Sequence, residues 1–282
     1  MVYCSQQAPM SVPFSVIEPT DEETPLTVEI PHAGLGVDGP SLSYLAAPAR
    51  SIGRDADLYV DELYADVPSR GATLIVAHAS RYVVDLNRSE KDIDSESVEG
   101  APATARATRG IVWRLTSDGV RVLERPLPRA ELERRLDTYY RPYHRTLAEI
   151  IERKRARFGF AIVLAAHSMP SVGRQSHGDN HHVRADVVPG TRGRTSAARS
   201  FIEAVDRHAR AAKLSVVHDD PYQGGFTTAH YGRPDLHVHV VQVELARRLY
   251  MDEAALAKNG GFERTRAWCA ELAATLGRTR PF

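Results

Sequence analysis

Cysteine is almost absent from this chain: two residues in 282, Cys4 and Cys269, near opposite ends of the sequence. No CxxC pair is available for metal or thiol chemistry, and no disulfide framework can be built. A reducing, cytoplasmic setting is therefore the expectation. Long apolar runs are missing too. No stretch of about 18 apolar residues is present to span a bilayer. Met1 to Ser15 lacks the basic-then-apolar order of a secretory signal. Net charge is also missing, because 36 basic residues balance 36 acidic ones. That removes the electrostatic case for nucleic acid or an anionic membrane as partner and leaves a small molecule. No internal repeat and no linker-like segment divides the chain, and no HExxH helix is present.

Histidine, by contrast, is plentiful, with twelve residues, which makes metal or acid–base chemistry worth testing. A recurring pattern gives some of these histidines a place. Leu26 to Ile30 reads as a short strand ended by Pro31, followed at once by His32, Ala33 and Gly34. Thr73 to Ala77 is a second strand, and Ser80 to Leu86 reads as an extended stretch that runs into Asn87 and Arg88. A third, 161–166, ends in His167 and Ser168, and a fourth, from Val238, ends in Glu244. In an open α/β sheet, ligands gather at the carboxyl ends of strands.

Between the strands, apolar spacing predicts helices over 55–64, 129–158, 197–212, 245–250 and 263–277. A further helical turn is expected over 42–49. Pro142 is expected to kink or split the second of the long helices. Ile111 to Leu115 and Val120 to Leu123, around Ser117-Asp118-Gly119, read as a hairpin. Leu214 to Val217 reads as another strand. Residues 1–26 read as a lead-in, and the polar segments 89–110 and 170–196 as active-site loops. Alternating strands and helices imply one α/β domain over 1–282, a three-layer α/β/α arrangement on a mixed central sheet.

The chemistry follows from the strand ends. His32 and His167 are candidate metal ligands. Zinc in a hydrolase takes three protein ligands and leaves one position open. Asp55 and Asp57, placed together in the first turn of the helix predicted at 55–64, both qualify as the third. A carboxylate at the position of Glu244, closing an apolar strand, is costly to bury unless used, and a dry setting suits a general base. Arg88, with Asn87, offers a planar fork for a carboxylate, and Arg81 adds a second positive charge. His230, Arg174, Arg184 and Arg192 stand in loops as further candidates to face substrate.

Together, Pro31-His32-Ala33-Gly34, Asp57-Leu58-Tyr59-Val60-Asp61, Ser80-Arg81-Tyr82-Val83-Val84-Asp85-Leu86-Asn87-Arg88, Ala166-His167-Ser168, Gly224-Gly225-Phe226-Thr227 with His230-Tyr231-Gly232, and Gln242-Val243-Glu244-Leu245 with Tyr250-Met251-Asp252-Glu253 carry a resemblance. In this order they resemble the N-formylglutamate amidohydrolases, over about residues 27 to 255. The resemblance implies hydrolysis of N-formyl-L-glutamate to formate and L-glutamate, a step of histidine breakdown. It also implies a fold similar to zinc carboxypeptidases and aspartoacylases (phosphorylase/hydrolase-like), with a zinc cofactor. In those enzymes a His-x-x-Glu pair, a later His, an Asn-Arg pair and a late Glu come in sequence, and His32, His167, Asn87-Arg88 and Glu244 match that order. Three residues after His32, however, stands Leu35. The carboxylate ligand then comes from elsewhere, with Asp57 in that place and Asp55 the alternative. The resemblance also leaves a hydrolase of another N-acyl acidic amino acid, or a carboxypeptidase-like peptidase, as competing activities.

Overall fold

The computed structural model describes residues 12–103, 109–173 and 182–281. Cys4 and Arg174, and parts of both predicted active-site loops, lie outside them. Among the described residues six strands form one mixed sheet, in the order β1-β3-β2-β4-β6-β5. β1 (Phe14–Ile17) runs antiparallel along β3 (Thr73–Ala77). β3, β2 (Leu26–Ile30), β4 (Ala161–Met169) and β6 (Val238–Ala246) are parallel, and β5 (Val187–Gly190) closes the far edge antiparallel to β6. A separate two-stranded ribbon joins β7 (Met251–Asp252) to β8 (Ala257–Lys258).

Side-chain alternation along the strands builds two cores. Val28, Leu74, Leu164 and Val243 face the first, which they share with helices α3 (Val60–Leu63), α6 (Arg199–Ala211) and α8 (Phe262–Arg278). Ile75, Val163 and Val240 face the second, against α4 (Arg129–Arg135) and α5 (Arg141–Phe158). The remaining helices are short: α1 (Gly39–Leu42), α2 (Ala49–Asp55) and α7 (Phe226–Tyr231). The result is the predicted three-layer α/β/α fold. No helix among the described residues is long and apolar enough to cross a membrane.

Several sequence expectations are corrected. The lead-in contains β1. The helical turn expected over 42–49 forms earlier, as α1. The helix expected over 55–64 is broken: α2 ends at Asp55, Tyr59 adopts a left-handed φ of 66°, and only then does α3 begin. Asp55 and Asp57 therefore do not share a first turn. The stretch 80–86 is folded into turns, because Ser80 and Asp85 bond back to their own backbone. Tyr82 N donates to Ser80 Oγ at 3.2 Å, and Asn87 N to Asp85 Oδ1 at 2.9 Å. The 111–123 hairpin is reduced to a turn with an isolated bridge between Leu115 and Arg121. Ser117 N is drawn away to the Asp55 carboxylate at 2.8 Å. The strand expected at 214–217 is likewise a single bridge, Val216 to Val187. The helix expected over 245–250 shrinks to a three-residue 3-10 turn, Arg247–Leu249, because β6 continues to Ala246. Pro142 does split its helix. A widened π turn, Leu136–Tyr140, precedes it, and Arg141 N reaches back five residues to Leu136 O.

The loop carrying His32 is stitched to the segment after β3. Gly36 N donates to His78 O at 2.9 Å and Ser80 N to Gly36 O at 2.8 Å. Gly34 passes so close that a Cβ would meet the His78 carbonyl carbon at 2.4 Å and the Ala79 oxygen at 2.7 Å. Those are backbone atoms, so the strain cannot be relieved by a rotamer change. Gly34→Ala is expected to cost about 1–3 kcal/mol, the usual scale of overpacking. It should appear as a lower midpoint in urea denaturation, and an unchanged midpoint would show that the two segments are not rigidly stitched.

Candidate active site

The four parallel strands end on one edge, and the polar residues of interest collect there. His32 follows β2. Asp57 sits in the break between α2 and α3, where its backbone N donates to His32 O at 2.9 Å. His167 and Glu244 are opposite one another in the ladder of β4 and β6. Both strands run on past these residues, so they lie within the sheet rather than at its last rung.

Three side-chain atoms converge. His32 Nδ1 is 3.2 Å from His167 Nδ1 and 3.6 Å from Asp57 Oδ2, and His167 Nδ1 is 3.0 Å from the same oxygen. Around a tetrahedral zinc with bonds of about 2.0–2.1 Å, ligand atoms stand roughly 3.3 Å apart. Two imidazoles and a carboxylate, all buried, thus form a group that could hold a metal ion. The chemistry of the donors fits a divalent ion with an open fourth position.

The surroundings orient each donor. His32 presents Nδ1 because its Nε2 is 2.7 Å from Asp85 Oδ1, the carboxylate–histidine arrangement that fixes ring orientation behind a metal ligand. Asp85 is fully buried and also accepts from Arg81 Nη2 at 3.1 Å and Trp113 Nε1 at 2.8 Å. Burial would push its carboxyl up, but the charges of His32, Arg81 and Arg88 hold it well below the ordinary range. Asp57 turns Oδ1 toward Ser168 Oγ at 3.3 Å and Arg247 Nη2 at 3.4 Å, which leaves Oδ2 to the histidines. The Arg247 guanidinium also caps Arg54 O at 2.7 Å and Ala56 O at 2.6 Å and so braces the helix break. For Asp57 too, burial is outweighed, here by the hydrogen bonds from His167 and His32, and its carboxyl stays well below its usual value.

Asp55 is turned elsewhere, accepting from Tyr82 Oη at 2.5 Å and Ser117 N at 2.8 Å. Of the two aspartates, Asp57 is the one in the cluster. Glu244, 5% exposed, is pushed up to about 7 by burial, against the pull of the His167 charge.

The cleft over this cluster has a volume of about 410 Å³, the size of a small-molecule site. Among the described residues six arginines line it: Arg54, Arg81, Arg88, Arg109, Arg192 and Arg247. That excess of positive charge suits an anionic ligand. Arg81 and Arg109 lie over the Trp113 ring, 4.5 and 5.5 Å from its centre. Arg88 is braced through Nε to Arg109 O and Nη1 to Asn87 O, both at 2.9 Å.

Of the residues singled out from sequence, His32, Asp55, Asp57, Arg81, Asn87, Arg88, His167, Arg192 and Glu244 line this cleft. His230 lines a separate cavity, its ring stacked on Phe226 at 4.8 Å. Arg184 is turned to Pro170 O and Tyr222 Oη, each at 3.2 Å. Sequence reasoning passed over Asp85, Trp113, Gln242 and Arg247. For two of them a signal was present: Asp85 stands two residues before Asn87 inside an apolar run, and Gln242 two residues before Glu244 on the same face of a strand.

Comparison with known proteins bears on what this cleft belongs to. The family model described as N-formylglutamate amidohydrolase matches residues 24–251. An N-formylglutamate deformylase of Pseudomonas aeruginosa is 36% identical over 243 residues, covering 82% of this chain and 84% of its own. One from Pseudomonas putida is 34% identical over 236 residues, covering 81% and 82%. The crystal structure of N-formylglutamate amidohydrolase from Ralstonia eutropha JMP134 superposes with a TM-score of 0.84 at 29% identity, covering 94% of this chain and 97% of that one. A match of this extent, in sequence and in fold, means that the chain belongs to the N-formylglutamate amidohydrolase family.

Proposed function

We propose that the chain hydrolyses N-formyl-L-glutamate to formate and L-glutamate, using one divalent ion, zinc, at His32, Asp57 and His167. The observation that carries this reading is the meeting of that donor triad with Glu244 in a cleft lined by arginines. The relatives named above as N-formylglutamate deformylases supply the substrate. When bound, the ion supplies Lewis acidity toward the formyl oxygen and makes water a better nucleophile at neutral pH.

The chain's own residues do the rest. Water adds to the formyl carbon, and Glu244 takes its proton. The C–N bond breaks, and Glu244 returns that proton to the departing amide nitrogen, which becomes the amino group of glutamate. Burial beside His167 suits both halves of this transfer, because a carboxyl near 7 can accept and release a proton at neutral pH. The substrate is a dianion. Arg88, braced by Arg109 O and Asn87 O, offers its fork to one carboxylate, with Asn87 and Arg81 beside it. His230 is left out of this set because it lines another cavity.

Elemental analysis tests the ligands. His32→Ala, His167→Ala and Asp57→Asn are each expected to lose stoichiometric metal while Asp55→Asn keeps it; retention in the first three would refute the site. Arg88→Lys keeps the charge and loses the fork. It is expected to lower kcat/KM for N-formylglutamate by about 1.5–3 kcal/mol, the scale of a hydrogen bond to a charged group. An unchanged kcat/KM removes Arg88 from substrate binding. Glu244→Gln should keep its metal and lose about 10²–10⁴-fold in kcat for formate release. Metal loss, or near-normal turnover, ends the general-base role. N-acetylglutamate and a C-terminal glutamyl peptide, assayed alongside, distinguish deformylation from broader deacylation and from peptidase activity.

A further inference from the structure

We infer that Gln242 is a positioning residue that fixes the Glu244 carboxylate and ties it to Asn87 and to the turn entering α7. The inference rests on the reading of Glu244 as the general base and adds a residue to it. Gln242 is 3% exposed and sits two residues before Glu244 on the same face of β6. Its Nε2 donates to Glu244 Oε1 at 2.9 Å, and its Oε1 accepts from Gly225 N at 2.9 Å and Asn87 Nδ2 at 3.3 Å.

The direction of these bonds is not an arbitrary choice between the two ends of an amide. A backbone N–H can only donate, so Gly225 N fixes Oε1 as the end of Gln242 that faces it. The NH₂ group must then face Glu244. Asn87 is fixed in the same way. Its Oδ1 accepts from Thr227 N at 3.0 Å, which turns Nδ2 toward Gln242. Thr227 is in turn held through Oγ1 to the buried Glu29 at 3.1 Å. Two backbone donors at the start of α7 thereby orient two amides in series; the series runs through Gln242 to one oxygen of Glu244, while Asn87 Nδ2 also lies 3.3 Å from His167 Nε2. Gln242 occupies Oε1 and leaves the other oxygen for water.

Close approach is built into this corner. A Cβ on Gly225 would stand 2.3 Å from Asn87 Nδ2 and 2.4 Å from Oδ1. Only glycine lets the turn come near enough for its N–H to reach Gln242. A glutamine serving merely to satisfy a buried backbone N–H would not need its other end on a carboxylate.

The test is a pair of variants and a double-mutant cycle. Gln242→Met keeps the length and removes both polar ends; Gln242→Asn keeps an amide but is one methylene too short to join Gly225 to Glu244. With metal content and thermal midpoint measured alongside, each is expected to lose about 10–100-fold in kcat for formate release, with KM changed less than about threefold. Combined with Glu244→Gln, Gln242→Met should cost nothing further, because the residue acts through Glu244. A kcat near that of the unsubstituted chain in both variants overturns the proposal. So does a loss that adds to that of Glu244→Gln, or a loss explained by missing metal. If Glu244→Gln alone stays active, the general-base reading fails instead; if it is slow and both Gln242 variants are fast, only this inference falls.

Discussion

The site depends on one buried contact, the 2.7 Å hydrogen bond between His32 Nε2 and Asp85 Oδ1. It joins the segment after β2 to the segment after β3, so it closes the floor of the cleft across two strands. It also decides which nitrogen of His32 faces Asp57 and His167. Asp85 has no exposure to water, and a carboxylate in such a place must have its oxygens filled by donors. Arg81, Trp113 and the Asn87 backbone fill them. Those same bonds bring Arg81 and Asn87 to the cleft, so the pair organises both the histidine cluster and the polar wall beside it.

Charge is balanced locally even though the chain as a whole is neutral. Asp57 is met by Arg247 and two histidines, and Asp85 by Arg81 and His32. After these pairings, cationic groups still dominate the cleft wall. Overall neutrality offers no electrostatic argument for a polyanionic macromolecule as partner, yet it says nothing about a concave region of some 20 residues. A zero net charge and an excess of arginine on the cleft wall are compatible because neutrality is a sum over the whole chain, whereas the cleft is lined by a small part of it.

Much of this was legible in the sequence. Each parallel strand is a short apolar run, and His32, His167 and Glu244, which follow or close three of those runs, line one cleft together with Asn87, which follows the buried turns of 80–86. What escaped is of a different kind. Nothing local marks Tyr59 as the left-handed residue that frees Asp57 from a helix; that conformation is held by long-range contacts, with Tyr59 Oη donating to Leu256 O at 2.9 Å. The apolar character of 80–86 was real, since Tyr82, Val83, Val84 and Leu86 are buried, but burial does not distinguish a strand from a coiled segment lying on a core. The helix expected after Glu244 fails for a similar reason. Arg247 is committed to capping Arg54 and Ala56, nearly 200 positions earlier in the chain, and such a bond leaves no trace in spacing. His230 shows the opposite error, a polar residue in a motif-like run whose ring is used for aromatic packing.

The pairing of His167 with Glu244 across β4 and β6 has a consequence for how errors would show. Both residues are fixed by the same ladder that aligns Leu164 with Val241 and Ala166 with Val243. In a strand, a slip by one residue sends every side chain to the opposite face. Were β6 to slip against β4, Glu244 would leave the cleft, and in the same movement Val241, Val243 and Leu245 would leave the apolar layer beneath α6 and α8. The spacing of His167 and Glu244 therefore has no soft mode of its own. A molecule with its interior correctly assembled has these two groups correctly opposed, and quality control that senses only exposed apolar surface would also remove the chains whose chemistry is misaligned.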